Sequence, residues 1–172
     1  MTYGANDMAL DNWGIVDRWI ARDNVTTLGA SGIGFVNFGS IDELRIEAPI
    51  ETFGPGARGF NVYTGSVRLG IFDRIVAHGD GAVGVQISQT GRSINRPARH
   101  GDVWRNRTIA GQRSRRESPG QRPQHQTGRF CRSITIEGGL RMHGAGIVPL
   151  EQQGIVDSLT IDGGFRMAET GL

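Results

Sequence analysis

The chain has 172 residues with 27 glycines, 37% hydrophobic residues and a formal net charge of +2, enough for one domain with a core and too little for a second of full size. All 19 basic residues are arginine, which excludes mechanisms that need a Schiff-base, P-loop or Tyr/Lys-pair lysine. No stretch approaches the roughly 18 to 20 apolar residues that span a bilayer, the start has no basic-then-apolar leader, and Cys131 has no second cysteine to pair with. The chain as written is therefore expected to be cytoplasmic, without a membrane partner.

Residues 1–13 read as an N-terminal cap or tail, and a repeat begins at Gly14. Gly14-Ile-Val-Asp-Arg-Trp-Ile-Ala lines up with Gly39-Ser-Ile-Asp-Glu-Leu-Arg-Ile and with Gly154-Ile-Val-Asp-Ser-Leu-Thr-Ile. Apolar residues follow the glycine at two places (Val16, Ile41, Val156), at five (Trp19, Leu44, Leu159) and at seven (Ala21, Ile46, Ile161). Val25, Ile50 and Phe165 come at eleven, with Ile75 and Leu140 as their equivalents, and Gly29, Gly54, Gly79 and Gly144 close the arc. The next arc repeats at a spacing of 25 as Ala30 to Phe35, Pro55 to Phe60 and Asp80 to Val85. Spacings of two mean short strands with alternate side chains facing inward, separated by glycine turns. Such units stack at about 4.8 Å, placing Phe35, Phe60 and Val85 in one inward ladder and Ile50 and Ile75 in another. The predicted fold is an all-β, parallel β-helix solenoid over residues 14–91 and 133–172. A leucine-rich repeat is set aside because its asparagine ladder and leucine framework are missing.

The stretches Ile50 to Phe60 and Ile75 to Val85 resemble the rungs of right-handed parallel β-helix proteins, the group that includes pectate-lyase-like enzymes and the passenger domains of bacterial autotransporters. The resemblance covers about two thirds of the chain and is one of rungs, not of catalytic motifs. It implies a right-handed β-helix and carries no particular activity.

Residues 92–132 break the repeat. They hold eleven arginines against two acids, Asp102 and Glu117, leaving eight arginines against fifteen acids elsewhere. Between Asn95 and Arg129 the only hydrophobic residues are Ala98, Val103, Trp104, Ile109 and Ala110, so the stretch reads as disordered or looped. A polyanion-binding arm is one reading, and nucleic acid is not the favoured partner. A frameshift is the preferred one. Read one base later, the codons for Arg129-Phe130-Cys131 can encode Gly-Ser-Val, and those for Gln121 to Thr127 can encode Asn-Ala-Leu-Ser-Ile-Lys-Pro, words that restore the repeat. From Ser133 onward the pattern returns, Ile134, Ile136 and Leu140 matching Leu44, Ile46 and Ile50 at an offset of 90. A scrambled rung would leave strand edges unpaired on both sides.

Gly29-Ala-Ser-Gly-Ile-Gly34 is similar to the nucleotide-binding turn of short-chain dehydrogenases but is one copy of a repeated solenoid turn, and no lysine exists for that family's catalytic pair. The candidate catalytic residues are His78, Asp80, Glu137 and Asp162. His78-Gly-Asp80, echoed by His100-Gly-Asp102, places an imidazole near a carboxylate, although His78 holds the rung position of Leu28 and Phe53. Glu137 falls one rung from Asp162 and Arg141 one rung from Arg166, two like-charged ladders expected to neutralise each other; a carboxylate pair on a β-helix face could also serve acid/base chemistry. Asp17, Asp42 and Asp157 share one rung position and read as structural turn residues. No cofactor and no metal are implied.

The expected function is a non-catalytic repeat protein presenting a repetitive surface to a glycan or a protein, with self-association through an open β-helix edge as a further partner mode, since Leu172 ends one arc into a rung. The alternatives are a carbohydrate-active enzyme of the lyase or hydrolase type and a damaged reading frame without activity. Sequencing the DNA between the codons for Gly91 and Ser133 separates these: an extra or missing base where the frame is lost, between Arg92 and Trp104, and another where it returns near Arg132 are the expected finding, and a clean frame overturns the frameshift.

Overall fold

The structure, a computed structural model, describes residues 1–88 and 131–168. Among the described residues all regular structure is strand, and no helix is present that could cross a membrane. The strands are β1 (Met8–Asn12), β2 (Ile15–Ala21), β3 (Val25–Thr27), β4 (Ile33–Asn37), β5 (Ser40–Ile46), β6 (Ile50–Thr52), β7 (Arg58–Val62), β8 (Ser66–Phe72), β9 (Ile75–Ala77), β10 (Val83–Ile87), β11 (Cys131–Ile136), β12 (Leu140–His143), β13 (Val148–Gln152), β14 (Val156–Ile161) and β15 (Phe165–Ala168). They form three five-stranded parallel sheets, β1-β4-β7-β10-β13, β2-β5-β8-β11-β14 and β3-β6-β9-β12-β15. Each rung gives one strand to each sheet, which makes the fold a parallel β-helix. The stretch expected as a cap or tail holds β1, which opens the first sheet, and Thr2 bridges to Thr27.

The inward ladders carry the core. In the first sheet Leu10, Phe35, Phe60, Val85 and Leu150 lie in register. In the second, Trp19 and Leu44 lead to Gly70, Ile134 and Leu159. In the third the column is Val25, Ile50, Ile75, Leu140 and Phe165. Phe35, Phe60, Leu44, Ile50 and Ile75 are fully buried, and each side chain of that size contributes roughly 1.5–3 kcal/mol when taken from water. On β15 Phe165 and Met167 have, among the described residues, a paired neighbour on one side only and are exposed.

One rung departs from the period. β8 pairs with β5 at an offset of 26, because the corner Tyr63-Thr64-Gly65 is one residue longer than Phe38-Gly39. Gly65 takes the extra residue at φ +74, and a Cβ there would overlap the Gly39 carbonyl oxygen. Since side chains alternate along a strand, the slip turns Val67, Gly70 and Phe72 inward and leaves Leu69 and Ile71 on the outer side. The Phe72 ring lies over Gly70 and packs 4.6 Å from Phe60, filling the space that the glycine leaves.

The arginine-rich stretch interrupts the fourth rung between β10 and β11, and its residues 92–130, with Trp104, His100 and Asp102, lie outside the described residues. The strands on either side are not left with open edges as expected. β11 pairs with both β8 and β14, and β10 with both β7 and β13, the register advancing by 64 and 65 residues across the insert instead of 25. Cys131 enters the inward column of Val67 and Val156 and is fully buried, which pushes its thiol up to about 12. It packs there as a small hydrophobe.

Two asparagines stack on the inside of one corner. Asn12 Nδ2 donates to Asn37 Oδ1 at 2.8 Å, and Asn37 Nδ2 donates to the Gly39 carbonyl at 2.8 Å. Val62 and Ile87 then take over the same column, so the amide pair spans two rungs.

The turn from the third sheet back to the first sets how closely rungs approach. Asn6, Ser31, Gly56, Gly81 and Gly146 occupy one turn position with φ between 55 and 65, a conformation that costs residues other than glycine about 1–2 kcal/mol. Ahead of it Gly29, Gly54 and Gly79 are stacked so tightly that a Cβ on each would overlap the carbonyl oxygen of the glycine below. Gly54→Ala is therefore expected to cost about 3 kcal/mol or more, whereas Gly81→Ala, at φ +64 with open space around it, should cost about 1 kcal/mol. Urea denaturation of the two variants checks this, and equal losses would refute backbone contact as the limiting factor.

Candidate functional site

The third sheet's outer face carries the histidines. Glu51 and Phe53 point outward from β6 and its end, and the column of Phe53 continues through His78 to His143. Phe53 and His78 are parallel, their centroids 4.4 Å apart and their planes at 5°, and His78 and His143 follow at 5.0 Å and 9°. Ala168 is paired with His143 on the next strand and is too small to continue the stack. His78 thus shares the column of Phe53, whose rung position it holds.

His78 and Asp80 form no acid/base pair. No hydrogen bond joins them, and Asp80 Oδ1 accepts the backbone N–H of Ala145 on the next rung at 2.8 Å. Glu137 and Asp162 directly follow β11 and β14 at one corner, where the Glu137 N–H donates to the Phe72 carbonyl and that of Asp162 to the Ile136 carbonyl. They are exposed and one rung apart, as expected. The expected neutralisation of the two ladders is absent: among the described residues no ion pair joins either carboxylate to Arg141 or Arg166. Those arginines lie in direct register on β12 and β15. Among the described residues no three His, Cys, Asp or Glu side chains converge as a metal set.

The second sheet handles its charges differently. Arg18 meets Glu43 at 3.4 Å, Arg22 meets Glu47 at 3.6 Å, and Arg68 meets Asp42 at 3.9 Å, each across neighbouring rungs. These exposed pairs are worth little singly, but they show opposite charges stacked in register. Asp42 lies within strand β5 and not in the turn expected of it, and its carboxylate faces Arg68.

A surface that sequence reading missed lies at the corner between the first and second sheets. Trp13 stacks on Phe38 with centroids 3.9 Å apart and planes at 11°, and Phe38 contacts Tyr63 at 5.5 Å. Trp13 is 68% and Tyr63 54% exposed. The backbone of this corner is held from inside by Asn12 and Asn37, while Thr64 Oγ1 donates to the Phe38 carbonyl at 2.8 Å and Ser66 Oγ lies 3.3 Å from Ser40 Oγ. The signal was present in the chain, because an aromatic residue precedes the corner glycine in three successive rungs: Trp13-Gly14, Phe38-Gly39 and Tyr63-Thr64-Gly65.

No protein-family model, curated protein or solved structure matches this chain.

His78 gives a pH test. Partial burial in the stack lowers its pKa below the ordinary 6.5, His143 beside it lowers it further, and Glu51 opposes the shift. The unfolded chain then binds the proton more readily, so stability is complete above about pH 6.5 and falls as pH drops through and below that value. His78→Phe, which continues the Phe53 stack without a titrating group, should flatten the melting temperature between pH 7 and 5. An unchanged pH slope in that variant would refute the assignment.

Proposed function

We propose that the chain is a non-catalytic, right-handed β-helix that presents its corner aromatics to a glycan chain. The right-handed wind follows the general preference of parallel strand crossovers. The reading is supported chiefly by the exposed column Trp13, Phe38 and Tyr63, three rings in contact along the rungs of a rigid scaffold. Exposed, contiguous apolar surface bordered by polar groups is the usual mark of a binding face. Rings that bury large area and lose little side-chain freedom suit the C–H faces of sugars, and the hydroxyls of Ser40, Thr64 and Ser66 lie beside them to exchange hydrogen bonds with sugar hydroxyls. The dispersal of His78, Asp80, Glu137 and Asp162 into separate structural settings supports binding over turnover.

Titration of the full chain with soluble oligosaccharides, followed by calorimetry, tests the proposal. Trp13→Ala and Tyr63→Ala should each weaken binding by about tenfold or more while the circular dichroism stays that of the parent. Binding that is equally tight in both variants, or that never saturates in the parent across neutral and acidic oligosaccharides, would sink it.

A further inference from the structure

On the described outer surface Arg18 and Arg68 of the second sheet each face a carboxylate one rung away, and the third sheet breaks that pattern. Arg141 and Arg166 are directly opposed on β12 and β15, with no ion-pair partner among the described residues. Like charges directly opposite on a sheet are unfavourable unless something between them carries the opposite sign. The same two residues line an open groove of about 530 Å³ together with His143, Phe165, Met167 and Ala168. His143 lies two residues beyond Arg141 on the same outward face of β12, and Ala168 beside it leaves the end of the ring stack uncrowded.

From this geometry we propose that Arg141 and Arg166, with His143 at their side, form a binding site for a phosphate or sulfate group. Two guanidinium forks one strand spacing apart supply paired N–H donors to a tetrahedral dianion, and the dianion removes the repulsion between them. The imidazole adds a third donor at the edge of the groove. The site is independent of the corner aromatics, which lie on other sheets, so it stands or falls separately from glycan binding there.

The test is calorimetric titration of the full chain at low ionic strength with inorganic phosphate, sulfate and glucose 6-phosphate. The parent should bind saturably, and Arg141→Gln and Arg166→Gln should each weaken binding at least about tenfold, while Arg45→Gln, which removes an arginine paired with Glu43, leaves it unchanged. Tighter binding of glucose 6-phosphate than of phosphate identifies an ester group on a larger molecule as the ligand, and equal binding identifies the free ion. Arg166→Glu guards against loss of fold as an explanation: it sets a carboxylate against Arg141 as Glu43 is set against Arg18, so it should melt no lower than the parent and yet lose phosphate binding. Phosphate binding retained in folded Arg166→Glu, an equal loss in Arg45→Gln, or no saturable binding by the parent would each overturn the proposal.

Discussion

Each rung of this protein is hydrogen-bonded to the next through all three of its strands, so every side chain has its equivalent about one strand spacing above and below. That vertical register is what the rest of the molecule obeys. On the inside it converts a modest fraction of hydrophobic residues into continuous columns, since Phe35 covers Phe60 and Ile50 covers Ile75 without help from distant parts of the chain. At the turns it demands glycine, because the Gly29, Gly54 and Gly79 backbones come too close for a Cβ between them.

On the outside the same register turns single residues into rows, and the chemistry of each row decides whether stacking helps or harms. Amides gain, as Asn12 and Asn37 exchange a hydrogen bond across rungs. Rings gain too, in the Trp13–Phe38 and Phe53–His78–His143 contacts. Charges gain only when the sign alternates, which the second sheet achieves with Arg18 over Glu43 and Arg22 over Glu47. Arg141 over Arg166 is the exception that a repeat with unlike neighbours would not need. A surface built this way offers several separate one-row faces and no cleft in which an acid, a base and a nucleophile meet among the described residues.

Much of the fold was legible before any coordinates. The period of 25, the inward positions and the closing glycines all emerge from comparing the chain with itself, because a solenoid's contacts are between neighbours in the repeat and therefore leave a local, periodic record. What failed to show was how the register shifts where the period is broken. The extra residue at Gly65 swaps the inward set of β8 to Val67, Gly70 and Phe72, a choice invisible to a count of 25. The direct pairing of β11 with β8 across the insert was equally hidden, because pairing skips the intervening chain altogether. The candidate site was read less well. His78 was assigned the rung position of Phe53, but its stack with His143 was not foreseen, and the corner aromatics went unnoticed although each comes just ahead of a repeat glycine, since exposed rings do not follow the inward pattern that guided the reading.

The amino-acid sequence alone determined that this is a parallel β-solenoid, which residues of the regular rungs face its core and where its glycine turns fall, because each of those is a property of one rung repeated. Only the tertiary structure decided which outward residues become partners. Whether Arg68 meets Asp42 or Glu43, and whether Asp80 holds a histidine or the Ala145 backbone, depends on the residue lying one rung away in space. In this chain that rung is 25, 26, 64 or 65 residues distant, so spacing along the chain cannot fix it.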